Sequence, residues 1–176
     1  TITPNLNYNG DILVDVTVSD GELTDSDSFT LTINPINDAP VLSDIDNQSM
    51  DEDGIFTYEL VTTDVDDTDL SYSATVDGNA SVDVIGSTLT ITPNLNYNGD
   101  ILVDVTVSDG QLTDTGSFTV TVISVNNAPV LTNILNDNID EDTVFTYELI
   151  ATDVDDTDLL YSATVDGNAS VDVIGS

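Results

Sequence analysis

The chain has 176 residues, of which 34 are Asp or Glu, and it contains no Lys, Arg, His or Cys, so its formal net charge is −34. Without basic side chains it cannot bind nucleic acid through phosphate contacts. Without Cys and His it lacks disulfides, thiolate zinc sites, the usual general base and the usual transition-metal ligand. The 39% of hydrophobic residues alternate with polar ones, which indicates a folded chain rather than a disordered one. No run approaches 18 apolar residues, so no insertion into a membrane is predicted.

Period-two alternation of apolar and polar residues predicts β-strands through the central part of the chain. In chain order, the predicted strands are 40–45, 56–60, 70–76, 81–85, 89–91, 101–107 and 118–122. Turn signals rich in Asp, Asn and Gly separate them at 51–54, 66–69, 77–79, 96–99 and 108–111. Seven short strands with regular turns and no helical period predict an all-β, Ig-like Greek-key sandwich.

The strongest signal in the sequence is internal repetition. Residues 1–87 align without gaps to residues 90–176, and 67 of the 87 pairs are identical. The segment TITPNLNYNGDILVDVTVSDG occurs unchanged at 1–21 and at 90–110. A period of 89 residues is too long for a solenoid unit and fits one small β domain per repeat. The sequence therefore predicts tandem seven-stranded sandwiches of about 89 residues each.

The domain boundaries are predicted at two prolines, Pro40 and Pro129, each of which follows a short polar linker. Proline suits the first residue of a strand that leaves a linker. The resulting segments are the C-terminal part of one repeat (1–37), a complete repeat (38–126) and the N-terminal part of a further repeat (127–176).

The two partial segments are complementary, because together they lack only the counterparts of Thr88 and Leu89. Alone, the first segment would leave an apolar face uncovered, and such a face is an interaction or aggregation site. Three explanations stay open: a piece of a longer tandem array, a chain whose ends complete one another between neighbours, or an arbitrary boundary.

Acidic residues gather at the predicted turns near the two poles of the domain, in 51–53, 64–69 and 109, and in the linker at 37–38. Several carboxylates in one turn repel one another unless a cation lies between them. Hard cations such as Ca²⁺ bind six to eight oxygens of carboxylates, amides and carbonyls. The loop from Asp64 does not fit an EF-hand, because Asp69 stands where that motif requires Gly. The alternative is a solvated acidic surface.

Several of these segments resemble cadherin motifs. TDVDDTDLSYS (63–73) is similar to the cadherin pattern T-D-A-D-x-G-x-N-x-x-[VL]-x-Y-S, and VTVSDGQLT (105–113) is similar to A-x-D-x-G-x-P-x-L-S. The linker NDAP resembles the cadherin N-D-N-x-P, and DEDG (51–54) occupies the place of the cadherin Pro-Glu turn. With NYNG before the next strand, the whole repeat resembles the bacterial cadherin-like Ig repeats of giant surface adhesins.

This resemblance implies calcium ions between successive domains, where they make the array rigid. The implied ligands at the upper pole of the complete repeat are Asn37, Asp38, Asp64, Asp66 and Asp109. The implied ligands at its lower pole are Glu52, Asn126, Asn127, Asp153 and Asp155. Glu141 and Asp20 would serve junctions beyond these two. The animal L-D-R-E motif is missing, its region being TPNLNYNG, and the second linker has Asn127 where the first has Asp38. The number of ions per junction therefore stays open.

The function that follows is a non-catalytic structural extender of a long extracellular or cell-surface protein, stiffened by calcium. Its expected partners are further copies of the repeat, with cell-surface glycans or proteins as additional candidates. Glycoside hydrolysis by a carboxylate pair is disfavoured, because the carboxylates lie at loop tips with no predicted cleft and no His or Arg to position a substrate.

Two alternatives stay open. One is a self-assembling filament or sheath whose partial end domains complement neighbouring copies by strand addition. The other is a calcium-dependent carbohydrate-binding repeat in which tyrosines stack on sugar rings. The tyrosines concerned are Tyr8, Tyr58, Tyr72, Tyr97, Tyr147 and Tyr161.

Overall fold

A computed structural model describes residues 1–174, and Gly175 and Ser176, at the end of the third predicted segment, lie outside the described residues. The strands of the first and third segments are β1 (Gly10–Ser19), β2 (Thr24–Ile33), β12 (Val130–Leu131) and β13 (Ala151–Thr152). Those of the central repeat are β3 (Val41–Leu42), β4 (Gln48–Asp51), β5 (Phe56–Glu59), β6 (Thr62–Thr63), β7 (Ser71–Val76), β8 (Ala80–Ile85), β9 (Thr88–Pro93), β10 (Gly99–Ser108) and β11 (Thr113–Ile123).

The central repeat forms two main sheets whose inner faces share one core. One sheet has the strand order β4-β11-β10-β7, and the other has the order β5-β9-β8. All of these neighbours are antiparallel except β4 and β11, which run parallel. The consecutive strands β7 and β8 lie in different sheets, whereas β8 pairs with β9 and β10 pairs with β11 within one sheet. This is an Ig-like sandwich, as the sequence predicts.

The first predicted strand, 40–45, is shorter than expected. It is limited to the two residues of β3, which pairs with β6 in a separate two-stranded sheet. A second strand, β4, follows and pairs with β11 in the four-stranded main sheet. The polar residues between β3 and β4 interrupt the alternation. One of them, Asn47, accepts a hydrogen bond from the Thr119 backbone N–H at 2.9 Å. The Asn47 side chain thus accepts a hydrogen bond from a backbone N–H group of β11 immediately before the residues at which β4 begins to pair with β11.

The core consists of the inward-facing residues that the alternation predicts. Those with at most 3% exposure are Leu60, Leu89, Ile91, Ile101, Val103, Val105, Val107, Phe118, Val120 and Val122. On β10 the intervening residues Leu102 and Asp104 are exposed. Aromatic rings fill the middle of the core, since Phe118 lies 6.1 Å from Tyr58 and 6.5 Å from Phe56 between ring centroids. Burial of these apolar groups is the main source of stability.

A tyrosine side chain holds the turn before β10. The Tyr97 hydroxyl donates to the backbone carbonyl of Asp100 at 2.9 Å. Gly99 has φ of +130°, and a Cβ there would lie 3.0 Å from the same hydroxyl. The backbone angle therefore favours glycine at this position, and the close approach would require the Tyr97 hydroxyl to shift for any larger residue.

The first and third segments form less structure than the central repeat, although their sequences are nearly identical to parts of it. β1 and β2 form a two-stranded hairpin with no further neighbour, and β12 pairs only with β13. The copies of β5, β7 and β8, at 145–148, 160–165 and 169–174, are not strands. In the central repeat the partners of β5, β7 and β8 are β9 and β10. No counterpart of these partners pairs with residues 127–174 among the described residues.

Replacing a core residue of β10 tests this assignment of the buried face. Ile101→Ala should lower the free energy of unfolding by about 2–5 kcal/mol, because it leaves a cavity in a fully buried site. The matched control is Leu102→Ala at the next position, where the side chain is 52% exposed and the expected loss is below about 1 kcal/mol. Urea unfolding followed by circular dichroism measures both, and equal losses would contradict the assignment.

Candidate metal sites at the domain junctions

The upper pole of the central repeat contains the loop that follows β6, and Asp64 organises it. One carboxylate oxygen of Asp64, Oδ1, accepts hydrogen bonds from the backbone N–H groups of Asp66 at 2.8 Å and Asp67 at 2.9 Å. Asp66 Oδ2 in turn accepts a hydrogen bond from the backbone N–H of Asp38 in the linker at 2.7 Å. Three of the predicted ligands are thus connected through carboxylate and backbone groups.

A second contact at this pole joins Asp109 to the linker. Asp109 follows β10, and its Oδ1 accepts hydrogen bonds from the backbone N–H groups of Gln111 at 2.6 Å and Leu112 at 2.7 Å. Its Oδ2 accepts a hydrogen bond from the Asn37 side-chain amide at 2.7 Å. The backbone N–H of Leu112, followed by the Asn37 amide, holds the pKa of Asp109 below its ordinary value of 3.8, because these donors favour the charged form.

At the lower pole the central residue is Glu52, which is only 6% exposed. Its Oε1 accepts a hydrogen bond from the backbone N–H of Val125 at 2.6 Å, just before the second linker. Its backbone N–H donates to the carbonyl of Ile123 at 2.8 Å. The other carboxylate oxygen, Oε2, is buried and has no hydrogen-bond partner. Glu52 therefore ties the start of the linker to the turn after β4.

The second linker repeats the backbone contact of the first. The backbone N–H of Asn127 donates to Asp155 Oδ2 at 2.5 Å, as that of Asp38 does to Asp66. Asp153 Oδ1 accepts a hydrogen bond from the Asp155 N–H at 2.8 Å, and the Asn126 side chain donates to the carbonyl of Asn127 at 2.9 Å. The change from Asp to Asn at the linker position leaves this contact intact because its donor is the backbone.

The two remaining predicted ligands take part in neither cluster. Asp20 Oδ1 accepts hydrogen bonds from the backbone N–H groups of Glu22 at 2.9 Å and Leu23 at 2.8 Å. These donors, Leu23 first, lower the pKa of Asp20 below 3.8. Glu141 is exposed, in contrast to its counterpart Glu52. Asp20 and Glu141 therefore lie in the same kind of turn as their counterparts Asp109 and Glu52. Unlike those counterparts, they make no hydrogen bond to a linker among the described residues.

Sequence reasoning missed Gln111 and Asp114. The Gln111 side chain donates to Asn37 Oδ1 at 3.3 Å, so it orients the amide that meets Asp109. Asp114 Oδ2 accepts a hydrogen bond from the backbone N–H of Leu42 at 2.8 Å. The role of Gln111 could have been found from the repeat comparison, in which Gln111 replaces Glu22. A glutamine amide can donate a hydrogen bond, whereas a glutamate carboxylate cannot. No pattern pointed to Asp114, whose contact depends on how β3 meets β11.

Two observations test whether calcium fits these residues. Among residues 1–174, no three acidic side chains converge closely enough to form a metal site by themselves. However, one carboxylate oxygen at each pole, Asp64 Oδ2 and Glu52 Oε2, is buried without a hydrogen-bond partner. The linkers also carry amide and carbonyl oxygens, which are further types of ligand that Ca²⁺ binds. The donor chemistry fits Ca²⁺, and Glu52 and Asp64 are the residues that would hold it.

The tyrosines of the central repeat take part in packing. Tyr58, Tyr72 and Tyr97 are half-buried and lie against the core. The Tyr72 hydroxyl shares a hydrogen bond with the Thr62 hydroxyl at 2.7 Å, and that of Tyr97 is bound to Asp100. These contacts favour a structural role over the stacking surface that the carbohydrate-binding alternative requires.

The sandwich places the central repeat among Ig-like β domains. Residues 37–121 match the family model described as bacterial Ig domain. The search of curated proteins gave no match. Within residues 1–174 the structure contains no helix long and apolar enough to cross a membrane.

Several solved structures resemble the chain in part. An endo-fucoidan hydrolase of glycoside hydrolase family 107 is 19% identical with a TM-score of 0.39, over 69% of this chain and 20% of its own. Human protocadherin-24 EC1-2 is 12% identical with a TM-score of 0.47, over 68% of each chain. Domains 4 and 5 of the S-layer protein SbsC are 21% identical with a TM-score of 0.39, over 65% of this chain and 59% of theirs. The chain thus spans about a fifth of the hydrolase, and at these TM-scores none of the similarities carries a functional argument.

Because the Asn37 amide donates to Asp109, removal of that amide is expected to change the pKa of the Asp109 carboxylate. Because the folded pKa of Asp109 is lowered, its carboxylate stabilises the fold above its unfolded pKa, and this contribution is lost as the pH falls through the lowered value. Asn37→Ala should raise the Asp109 pKa in NMR titrations with chelator present. Asp20, whose pKa is lowered mainly by backbone donors, is the internal control and should not move. An unchanged Asp109 would contradict the contact.

Proposed function

We propose that the chain is a structural extender segment of an extracellular or cell-surface protein, in which Ig domains follow one another in tandem and Ca²⁺ binds at their junctions. The match of residues 37–121 to a bacterial Ig domain and the repetition at 89 residues support the structural role. The proposed role is mechanical and requires no catalysis.

The observation that carries the calcium proposal is the unpartnered carboxylate oxygen of Glu52. A buried polar atom without a hydrogen bond costs about 1–3 kcal/mol, and more when it is charged. Glu52 is 6% exposed, its Oε2 has no partner, and the chain contains no Lys, Arg or His to neutralise it. A cation from solution would remove this cost, and Ca²⁺ prefers carboxylate oxygens. Asp64 Oδ2 supports the same assignment at the other pole.

Calcium would act on the freedom of the linkers. The backbone N–H groups of Asp38 and Asn127 already bind the carboxylates of Asp66 and Asp155. Holding each further linker residue in one conformation costs about 1–2 kcal/mol, and like charges at facing poles oppose close approach. A Ca²⁺ ion shared between facing poles would offset both the cost of ordering the linker and the repulsion between the poles. Removing the ion should therefore make the linkers flexible before the sandwiches unfold. Calcium sites of extracellular modules have Kd values of about 10⁻⁴–10⁻³ M.

A matched pair of charge-neutralising variants tests the ion at Glu52. Ca²⁺ at about one hundred times Kd should raise the free energy of unfolding of the unmodified chain by about 2.7 kcal/mol per site. Glu52→Gln should lose the part of this gain that the lower pole contributes, whereas Asp104→Asn, on an exposed side chain of β10, should keep all of it. In chelator, Glu52→Gln should be at least as stable as the unmodified chain, because it removes a buried charge. An equal response of the two variants to Ca²⁺ would reject a site at Glu52.

Small-angle scattering of dilute chain tests the stiffening. With millimolar Ca²⁺ we expect a longer maximum dimension and a profile typical of a rigid particle. Excess chelator should give the profile of flexibly joined parts while the β-sheet circular dichroism signal persists. A profile that ignores calcium would leave the carboxylates as solvated surface. Loss of the β-sheet signal would mean that calcium folds the domain, and either result would contradict junction stiffening.

A further inference from the structure

Segment 42–52, which runs from the end of β3 to the residue after β4, follows β11 in one constant parallel register. In the ladder of β4 and β11, Gln48 lies opposite Val120 and Asp51 lies opposite Ile123. Before β4 the contacts with β11 are made by side chains, and they join residues that are 72 positions apart. This is the spacing of the ladder itself. Segment 42–52 therefore stays beside the last strand of the repeat over its whole length.

Two side-chain contacts join this segment to β11 above the ladder. Asp114 Oδ2 accepts a hydrogen bond from the backbone N–H of Leu42 at 2.8 Å, and Asn47 Oδ1 accepts one from that of Thr119 at 2.9 Å. Leu42 can approach β11 closely because Gly116 has no side chain, since a Cβ there would lie 3.2 Å from Leu42 Cδ2. Side chains thus replace the backbone hydrogen bonds where polar residues interrupt the first strand.

Glu52 joins the two strands below the ladder. Its backbone N–H donates to the carbonyl of Ile123 at 2.8 Å, and its Oε1 accepts a hydrogen bond from the backbone N–H of Val125 at 2.6 Å. Contacts therefore extend from the upper to the lower end of segments 42–52 and 114–125. We call these two segments the parallel pair.

The parallel pair connects the two linkers of the central repeat. The first linker meets the upper pole through the contact of Asn37 with Asp109 and leads into segment 42–52. The second linker begins at the lower pole, where Val125 contacts Glu52. Tension on the linkers therefore pulls the two segments in opposite directions along their length. Because hydrogen bonds between parallel strands are evenly spaced along the ladder, they share this load and must break together.

We propose that the parallel pair is a mechanical clamp, by which the central repeat resists extension when tension acts on its two linkers. The two sheets separate under tension only after segment 42–52 has slid along β11. Forced unfolding is governed by the rate of unfolding, so the clamp acts on the barrier to unfolding. This property goes beyond the structural role proposed above and requires no Ca²⁺. Its tests are therefore made in chelator, and their outcome is independent of the calcium sites.

Optical tweezers with two pulling directions distinguish a clamp from general stability. The chain contains no Cys, so introduced cysteine pairs define where the handles attach. Ile36→Cys with Ala128→Cys places the handles on exposed residues of the two linkers and loads the parallel pair lengthwise. Ser43→Cys with Thr115→Cys places them on exposed residues at the upper end of the pair and opens it from that end. Lengthwise unfolding should need at least about twofold more force, because the hydrogen bonds then share the load.

A matched pair of asparagine variants tests one bond of the clamp. Asn47→Ala removes the hydrogen bond to Thr119. Asn94→Ala is the control, because the exposed Asn94 side chain donates to the carbonyl of Gly78 at 3.1 Å, between the end of β9 and the turn after β7. One such bond changes the equilibrium constant of unfolding by about fivefold, so both variants should lose similar stability in urea. Under lengthwise tension Asn47→Ala should unfold about fivefold faster, because its bond breaks before the transition state, and Asn94→Ala less than about twofold faster.

Asn47→Asp tests whether the acceptor oxygen itself matters. Its carboxylate can still accept the hydrogen bond, so this variant should unfold under lengthwise tension at the rate of the unmodified chain. Equal unfolding forces in the two pulling directions would show that the repeat has no clamp. The proposal also fails if Asn47→Ala and Asn94→Ala accelerate lengthwise unfolding equally, or if Asn47→Asp unfolds as fast as Asn47→Ala.

Discussion

The structure depends on one contact, the burial of the apolar face of a two-stranded hairpin against the facing sheet. Where β10–β11 finds its partners, Val105 and Phe118 are buried and seven strands form one core. Where a nearly identical sequence recurs as β1–β2, the hairpin persists but Val16 and Phe29 on its apolar face are exposed. The effect extends to the partner strands, because YSATV is a strand at 72–76 and is not one at 161–165. Tertiary contacts therefore decide the secondary structure of these segments, whose intrinsic propensities are identical.

The second constraint is a large negative charge with no cationic side chain to balance it. Carboxylates at the poles are directed at backbone N–H groups, as Asp64, Asp109 and Asp153 show within their own loops. Each of these hydrogen bonds joins a carboxylate oxygen to a backbone donor of its own loop, so the carboxylates stabilise the turns without salt bridges. The acidic residues are thus part of the fold itself and not only of its surface. Glu52 and Asp64 are exceptional because each keeps one buried oxygen without a donor.

Much of the fold could be predicted from the sequence, because strict alternation in β10 and β11 states which side chains are buried. The residues at the poles could be predicted as groups, since turns place Asp64, Asp66 and Asp109 together with the linker. The division of the first strand into β3 and β4 could not be predicted, because it depends on the pairing of Asn47 with β11. The pairing of individual carboxylates with particular N–H donors could not be predicted either, because it follows from the three-dimensional course of the loops. The unpartnered oxygen of Glu52 is visible only once burial is known.

The linker contact has a consequence for how such a protein changes over generations. The donor to Asp66 or Asp155 is a main-chain N–H group, supplied by Asp38 in one linker and by Asn127 in the other. Any residue except proline carries this donor. A repeat that is duplicated, deleted or exchanged with another can therefore meet its new neighbour without a compensating mutation at the seam. The length of the array becomes free to vary by whole repeats while every boundary keeps the same geometry.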